Sequence, residues 1–481
     1  MPKKAFNGGQ LKFLSGADVE NLHAGAIRIL EESGLRVDHP EAFEIYRRGG
    51  AKVDPRENRV RLSGKMIEQS LANTPGEILL AGREQSNDLK LAGQAVYAGT
   101  GGAELKVIDL ETSQLRDSTL QDVADISRLV DALEHIDFYI RPVVAQDIPQ
   151  QLLDINKYYA ALANTSKHVM GNVYFPAKVA EVVELAAIIA GGKKELQKRP
   201  LVSFITSWML SPLRLNSEVT AILIEIARHN MPVALSSVAI MGLTSPITMA
   251  ANLTLTHAEQ LAGIVLCQLI NPGTPVIYGG CPGVADMRDM SFIPGSIERQ
   301  ILNAAISQLA QHIHVPNYNL AGVTDAKIPD IQAGYEKAFG LGLTALAGSN
   351  YIHHAAGRVK DGVAYEQYVI DNEIIGMAKH AARGIQVNAE TMAIDQIIAA
   401  GPGANYLTHE HTLKFLRDEF YHPLISDRRE RKAWEDNGGL DTRERARREA
   451  RKILAEHRPL KIPSDCDARI RKKFEIKYNL P

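Results

Sequence analysis

Between Leu91 and Gly384 the chain alternates short apolar segments with helical ones. Eight strand candidates stand at 95–100, 136–143, 168–174, 201–208, 232–239, 275–280, 316–322 and 345–354. Each is followed by a helical pattern, which indicates parallel βαβ units because hairpin strands would follow one another directly. Eight such units predict a TIM (β/α)8 barrel over residues 91–384. In that fold the active site lies at the C-terminal ends of the strands.

The segments on either side of the barrel have a different pattern. Residues 1–90 predict a helical lead-in, with a helix that begins after the cap residue Ser15 and ends near Gly34, and a small β patch at 52–62 and 76–92. Residues 385–481 predict a mostly helical extension. Within it, residues 441–457 carry opposite charges at helical spacing, which is typical of a solvated helix; a basic partner-binding face is the alternative.

Composition excludes several classes of protein. With 54 basic and 56 acidic residues among 481, the net charge is −2, which argues against a dedicated nucleic-acid binder. The first ten residues contain two lysines but no apolar run of a signal peptide, and no apolar stretch approaches the roughly 20 residues of a membrane helix. Three distant cysteines give no disulfide framework. We therefore expect a cytoplasmic protein with no membrane or nucleic-acid partner.

Aromatic residues are concentrated near the predicted strand ends, although only 6% of the chain is aromatic. Aromatic rings attract cations that cannot donate hydrogen bonds, such as quaternary ammonium groups, by roughly 0.5–2 kcal/mol per ring. We predict that at least two of four rings surround such a ligand; the alternative is that the rings fill the barrel core. The four are Tyr97, Phe204, Trp208 and Tyr278.

Metal and nucleotide sites find little support in the sequence. Adjacent side chains on a strand point to opposite faces, so His353 and His354 are not expected to bind one metal together. Cys281 has no second ligand at metal-binding spacing, and the pair His409 and His411 resembles a helix start. The glycine-rich stretch AGTGGAE (98–104) is typical of a turn, not of a phosphate loop. We predict no metal site and a buried neutral thiol at Cys281.

Five blocks of sequence carry a resemblance to a known family. They are GLTSPITMAANLTLTHAEQLAGIVLCQLINPGTPVIYGG (242–280), DMRDMSF (286–292), VTDAKIPDIQAGYEKA (323–338), AGSNYIHHAAG (347–357) and GPGANYLTHEHTLKFLRDEFYHPLISDR (401–428). In this order they resemble the trimethylamine methyltransferase superfamily. The resemblance implies a TIM-barrel enzyme that moves a methyl group from an amine to the cobalt of a separate corrinoid protein.

One departure from that family points to the substrate. The archaeal trimethylamine enzymes use pyrrolysine, whereas this chain has only standard residues; the corresponding position falls within 323–327. The chain thus resembles the pyrrolysine-free branch, and among its members the glycine betaine:corrinoid methyltransferases. That branch implies glycine betaine as the first substrate, with proline betaine, carnitine or another methylated amine as alternatives. After its methyl group is transferred, a quaternary amine departs as a neutral tertiary amine. Alignment of the substrate in a shaped pocket is therefore sufficient for the reaction.

The resemblance assigns provisional roles to further residues. For the carboxylate of a betaine we expect His353 or His354 as donor, only one of which should line the barrel, and Arg141 as second choice. Corrinoid-facing loops are predicted at Gly242, Gly279 and Gly280. The candidates for positioning the substrate are Asp325 and Gln332.

The cobalamin itself is expected on a partner protein. None of the fifteen histidines follows an Asp-x-His pattern, which is the signature of corrinoid-binding domains that use a lower histidine. A homo-oligomer is also plausible from the terminal extensions. Two functions of another class remain open: a non-catalytic betaine-binding module, and a barrel lyase that uses Asp325 and Lys327.

Overall fold

A closed barrel of parallel strands forms the centre of the protein. The computed structural model describes residue 3 and residues 5–480. The barrel strands are β1 (Ala95–Ala98), β2 (Phe138–Ile140), β3 (His168–Gly171), β4 (Val202–Thr206), β5 (Val233–Leu235), β6 (Val276–Gly280), β7 (Asn317–Leu320) and β8 (Tyr351–His353). Neighbours pair in parallel from β2 round to β8 and on to β1, and a bridge between Gly99 and Phe138 closes the ring. The predicted (β/α)8 barrel is confirmed.

Each barrel strand is followed by a helix, as the alternating pattern predicts. The helices are α1 (Leu120–Ala132), α2 (Gln150–Asn164), α3 (Pro176–Ala190), α4 (Ser217–Arg228), α5 (Met249–Ile270), α6 (Ile297–His312), α7 (Ile331–Leu346) and α8 (Tyr365–Ala382). A short helix, Lys193–Lys198, follows α3. By length and composition α5 could cross a membrane, but 83% of its apolar window is buried inside the protein, so it is a core helix.

Alternation along the strands separates two apolar layers, because successive side chains point to opposite faces of a sheet. Inward-facing residues such as Ile140, Met170 and Ile277 form a cluster inside the barrel. Outward-facing residues such as Val202 and Val276 join the larger core between the strands and the helices.

The N-terminal segment closes the lower end of the barrel. Ala81 N donates to Pro200 O at 2.9 Å and Arg83 N donates to Ser166 O at 2.7 Å. Pro200 and Ser166 each lie just before a barrel strand. The hairpin that leads to these residues contributes Leu80 and Leu89 to the barrel interior. The elements of the segment are helices Gly16–Glu32, Pro40–Arg48 and Gly64–Asn73, a 3-10 turn Gln85–Asn87, and strands Phe6–Asn7, Leu35–Arg36, Lys52–Asp54, Arg59–Arg61, Glu77–Leu80 and Leu89–Ala92.

Short strands and a helical extension complete the fold. The strands are Lys106–Ile108, Leu115–Asp117, Met209–Leu210, Arg214–Leu215, Ile240–Met241, Gly283–Val284, Arg358–Val359 and Gly362–Ala364. The C-terminal helices are Ala389–Met392, Ile394–Ala400, Glu410–Glu419, Arg431–Asp436, Thr442–Glu456 and Ser464–Lys473. The charged helix Thr442–Glu456 is solvated on one face only, since Ala446 and Ala450 are buried and Arg443 pairs with Glu366 of α8 at 3.0 Å.

Candidate active site

A cavity of about 650 Å³ opens at the C-terminal ends of the barrel strands. This is the end at which TIM barrels hold their chemistry. Its wall combines apolar side chains with more arginines than acidic residues. The lining residues are Gly102, Ala103, Glu104, Arg141, Asn172, Val173, Tyr174, Ile205, Thr206, Ser207, Glu218, Val219, Ile222, Ser236, Val238, Cys281, Phe292, Arg299, Leu320, His353, His354 and Arg358.

Arg141, just after β2, presents a largely unpaired guanidinium to the cavity. The residue is 7% exposed, and its Nη1 donates to Tyr174 Oη at 3.3 Å. Its buried Nε has no hydrogen-bond partner, and in the described part of the chain no carboxylate forms an ion pair with it. An unpaired buried charge is costly, so this guanidinium is poised to accept an anion.

Arg299, from the first turn of α6, is a second buried guanidinium in the cavity wall. Its Nε donates to Pro282 O at 2.9 Å and its Nη1 to Pro294 O at 3.2 Å, and the group lies 5.0 Å from the centre of the Phe292 ring. Among residues 5–480 it too forms no ion pair with a carboxylate, whereas Arg358 is paired with Glu104 at 2.5 Å. Burial lowers the pKa of Arg299 to about 10, which leaves it charged at neutral pH.

Both histidines after β8 line the cavity, so the prediction that only one does so is wrong. The strand ends at His353, and His354 has a backbone φ of +61°, which turns its side chain towards the same side. The two Nδ1 atoms lie 2.7 Å apart. A side chain on Gly101 would collide with the His354 ring, so the glycine-rich turn after β1 makes room for this arrangement.

Cys281 lies next to the pair of histidines. Its Sγ lies 3.7 Å from His353 Nε2, and 3.6 Å from Ser236 Oγ. Burial raises the pKa of the Cys281 thiol and lowers the pKa of His353 to about 3, so both groups are neutral at pH 7. If the thiol donates to His353 Nε2, then His353 Nδ1–H donates to His354 Nδ1. His354 then holds its proton on Nε2 as a hydrogen-bond donor.

No metal site is evident in this cavity. Within the described residues, no three His, Cys, Asp or Glu side chains come together in a group that could hold a metal ion. The neutral pair of histidines is engaged in the hydrogen bonds described above. That the protein works without a metal of its own stays a prediction.

The four predicted cage rings lie outside the cavity, and the structure contradicts their proposed role. Tyr97 is at the lower end of the barrel, where its Oη accepts from Lys90 N at 3.3 Å. Phe204 and Tyr278 occupy outward-facing strand positions, the first against Tyr158 and the second bonded to His257 Nδ1 at 2.8 Å.

Trp208 lies in the same outer layer. Its ring contacts Gly263 of α5, where an added side chain would clash with it, and the residue is 0% exposed. In place of a cage of these rings, the cavity offers Tyr174 and Phe292 as aromatic walls.

The structure gives Trp208 a packing role, which leads to a testable expectation. Trp208→Ala should lower the free energy of unfolding by about 3–5 kcal/mol, because it leaves a void between the barrel and α5. Substrate affinity of the folded fraction should stay unchanged. Chemical denaturation and isothermal titration calorimetry measure the two effects. A stable variant with weakened substrate binding would contradict this packing role.

The predicted corrinoid-facing glycines have mixed positions. Gly279 leaves room for the Tyr318 ring inside the barrel, and Gly280 faces Thr256 of α5, so neither can contact a corrinoid. Gly242 lies in the loop after β5, with a φ of +78° and Met287 of the loop after β6 beside it. Only Gly242 therefore remains placed for that role.

Asp325 and Gln332 hold loops and do not line the cavity. Asp325 accepts from Gly295 N at 2.9 Å and pairs with Lys360 at 3.0 Å. Gln332 donates to Glu336 at 2.9 Å. Lys327 is exposed and does not line the cavity, so no Asp325–Lys327 dyad faces it. That one residue within 323–327 corresponds to pyrrolysine stays a prediction. Of these residues, Val323 is buried inside the barrel.

Comparison with known proteins gives the family. The family model for trimethylamine methyltransferase (MTTB) matches residues 3–477. A trimethylamine methyltransferase MttB of Desulfitobacterium hafniense (strain DSM 10664 / DCB-2) is 36% identical over 463 residues, covering 96% of this chain and 93% of the relative. A glycine betaine methyltransferase of Desulfitobacterium hafniense (strain Y51) is 34% identical over 461 residues, with 95% of each covered.

A solved structure supports the fold. The monomethylamine methyltransferase MtmB of Methanosarcina barkeri superimposes with a TM-score of 0.52 over 95% of this chain and 96% of its own, at 11% sequence identity. At that identity the likeness concerns the fold alone. The match of the family model to residues 3–477 and the two relatives 36% and 34% identical over nearly the whole chain lead to one conclusion: the chain belongs to the trimethylamine methyltransferase (MTTB) family.

Proposed function

We propose that the protein transfers a methyl group from a quaternary ammonium carboxylate, glycine betaine first, to Co(I) of a corrinoid partner protein. The observation that carries the proposal is the pair of buried guanidiniums, Arg141 and Arg299, neither of which forms an ion pair with a carboxylate in the part of the chain that the structure describes. Trimethylamine has no anionic group to satisfy them, and its protonated form would add a third positive charge. A betaine brings a carboxylate, which charge-assisted hydrogen bonds would hold.

Binding at that wall also orients the reaction. With the carboxylate on Arg141 and the Nε2–H of His354 as an additional donor, the trimethylammonium end would extend towards the cavity opening. Cobalamin supplies the Co(I) nucleophile. Because the leaving group is a neutral tertiary amine, no acid on this chain has to protonate it. Alignment and the shaped cavity then carry the rate enhancement.

The rim of the cavity is suited to a corrinoid protein. The loops after β5 and β6 expose apolar side chains around the opening, and such contiguous patches mark interaction surfaces. The exposed residues are Val238, Leu243, Ile247, Met287, Met290 and Phe292. We propose that the cobalamin arrives there on a separate protein, in the cytoplasm.

A methyl-transfer assay tests the proposal. The purified chain is incubated with Co(I) cobalamin, free or protein-bound, and the absorbance of methyl-Co(III) is followed. Glycine betaine, proline betaine, carnitine, trimethylamine and tetramethylammonium form the substrate panel. We expect turnover of one or more betaines at far lower concentrations than of tetramethylammonium.

Three other outcomes contradict the proposal. Turnover of trimethylamine but of no betaine would place the chain with the trimethylamine enzymes. Tight betaine binding without turnover in the presence of reduced corrinoid protein would indicate a binding module. Betaine breakdown without corrinoid would indicate a lyase.

A prediction about Cys281 follows from the chain of hydrogen bonds through His353 to His354. Cys281→Ala frees His353 Nε2 to carry a proton, so His354 would present a lone pair to the substrate carboxylate. We expect the KM for glycine betaine to rise about fivefold, the equivalent of about 1 kcal/mol for one hydrogen bond, with a smaller change in kcat.

The matched control is Cys281→Ser, whose hydroxyl still donates and should preserve the wild-type KM. Tetramethylammonium, which has no carboxylate, should show an unchanged KM in both variants. ¹⁵N NMR of the imidazoles reports the tautomer directly. Equal effects on the two substrates would contradict the assignment.

A further inference from the structure

Two acidic side chains line the cavity, and they differ in their pairing. Glu104 forms an ion pair with Arg358 at 2.5 Å. Glu218 lines the same cavity and is exposed to water, and in the part of the chain that the structure describes it forms no ion pair with a basic side chain. The negative charge of Glu218 is therefore free to interact with a ligand in the cavity.

The start of α4 places Glu218 in the cavity wall. The side chain of the N-cap residue Asn216 accepts from Glu218 N at 3.1 Å and from Val219 N at 3.2 Å, which fixes the first turn. Residues four apart share a helix face, so Glu218 lies beside Ile222, which also lines the cavity. Because Val219 and Ile222 are apolar, the carboxylate is the charged group that α4 contributes to this wall.

The charges of the cavity that have no partner match both ends of a betaine. Arg141 and Arg299 supply positive charge, and Glu218 supplies negative charge where the wall is open to water. We propose that Glu218 attracts and holds the quaternary ammonium end of the substrate while Arg141 holds the carboxylate. This assignment rests on the proposed function and makes Glu218 a residue that determines specificity for zwitterions.

A carboxylate in the first turn of a helix can also have a purely structural role, because negative charge there stabilises the positive end of the helix dipole. That role predicts a change in stability when the charge of Glu218 is removed, and no change in ligand affinity. The two roles are therefore separable by measuring both quantities in the same variant.

The exposed position of Glu218 suits the change in charge during the reaction. As the methyl group leaves, the electron pair of the C–N bond stays on nitrogen, which becomes neutral, and the electron pair of Co(I) on the partner forms the new bond to carbon. A carboxylate beside the ammonium thus stabilises the bound substrate more than the transition state, so it contributes to binding and not to kcat. Water around an exposed carboxylate keeps the resulting loss in kcat small.

Isothermal titration calorimetry with two matched ligands tests the proposal on the full chain. Glycine betaine and tert-butylacetate have the same shape and the same carboxylate, but the second has a neutral carbon in place of the nitrogen. Glu218→Gln is expected to weaken glycine betaine binding about two- to fivefold, the effect of one exposed ion pair, and to leave tert-butylacetate binding unchanged. Glu218→Asp keeps the charge and should restore part of the affinity for glycine betaine.

The matched control is Glu225→Gln. Glu225 lies on the same helix outside the cavity and pairs with Arg228 at 2.5 Å, so this change should alter the affinity for neither ligand. In the methyl-transfer assay, Glu218→Gln should raise the KM for glycine betaine and for tetramethylammonium by the same factor, while kcat stays the same or rises. Thermal denaturation records the stability of each variant.

Two results would overturn the assignment of Glu218. Unchanged affinity for glycine betaine in a folded Glu218→Gln variant would leave the carboxylate its structural role at the start of α4. Equal weakening of both ligands would show that the effect does not depend on the ammonium charge. A wild-type chain that binds glycine betaine in this way but transfers no methyl group contradicts the proposed function alone, whereas a wild-type chain that does not bind glycine betaine contradicts both.

Discussion

Replacing Arg141 with alanine is expected to raise the KM for glycine betaine about 10- to 100-fold. The reason is the loss of a charge-assisted hydrogen bond to the substrate carboxylate, worth about 1.5–3 kcal/mol. The guanidinium is buried, its Nε has no hydrogen-bond partner and no carboxylate pairs with it in the described structure, which favours a role in anion binding. Initial rates of methyl-Co(III) formation at varied betaine concentration measure the change.

Substrate chemistry provides the sharper control for this variant. Tetramethylammonium has the same cationic end and no carboxylate, so its KM should stay the same or fall as a positive charge is removed. Arg28→Ala, a change in a side chain 76% exposed on the N-terminal helix, should alter neither substrate. An equal rise in KM for both substrates would show that Arg141 shapes the cavity without binding the carboxylate.

The barrel could be predicted from sequence because its signal is repeated eight times. Every strand candidate contains the corresponding strand, since buried parallel strands and amphipathic helices have different periods. The boundaries were less accurate. The eighth candidate began at Ala345, yet Ala345 and Leu346 complete α7 and the strand begins at Tyr351. An apolar run at a helix end looks the same as the start of a buried strand.

The site was harder to predict, and two kinds of error explain why. The aromatic cage prediction is wrong because proximity to a strand end does not determine whether a side chain points inward or outward. The alternation along the strands places Phe204 and Tyr278 against the helices. Arg299 is absent from the predicted site residues, although the sequence contains a signal for it. It shares a helix face with Leu302, Asn303 and Ile306, and a charged residue on a buried face needs a function or a partner.

His354 had no comparable signal. Its side chain enters the cavity because one backbone angle is positive, and no pattern of hydrophobic residues encodes that angle for a histidine. Geometry at the level of single dihedrals is set by the surrounding contacts, here by the small Gly101 against its ring.

The buried ion pair between Lys337 and Asp371 supports the catalytic face, and breaking it should lower the stability of the protein strongly. Both side chains are 0% exposed, and Nζ lies 3.1 Å from Oδ2. Lys337 also donates to Gly322 O after β7, while Asp371 accepts from Gly357 N after β8 at 2.7 Å. Burial lowers the pKa of Lys337 and raises the pKa of Asp371 to about 6, while each charge opposes the effect of burial on the other and favours its ionised form.

Lys337→Met is expected to lower the free energy of unfolding by about 3–5 kcal/mol, because it leaves the Asp371 carboxylate buried without its counter-charge. Activity should fall with it, since the loops that follow β7 and β8 lose their common anchor. Urea denaturation followed by tryptophan fluorescence measures the stability. The double variant Lys337→Met/Asp371→Leu removes both charges and should recover a large part of the loss, as apolar replacements of buried pairs often do. A double variant no more stable than Lys337→Met would show that the backbone hydrogen bonds to Gly322 and Gly357, and not the charge pair, hold this end of the barrel together.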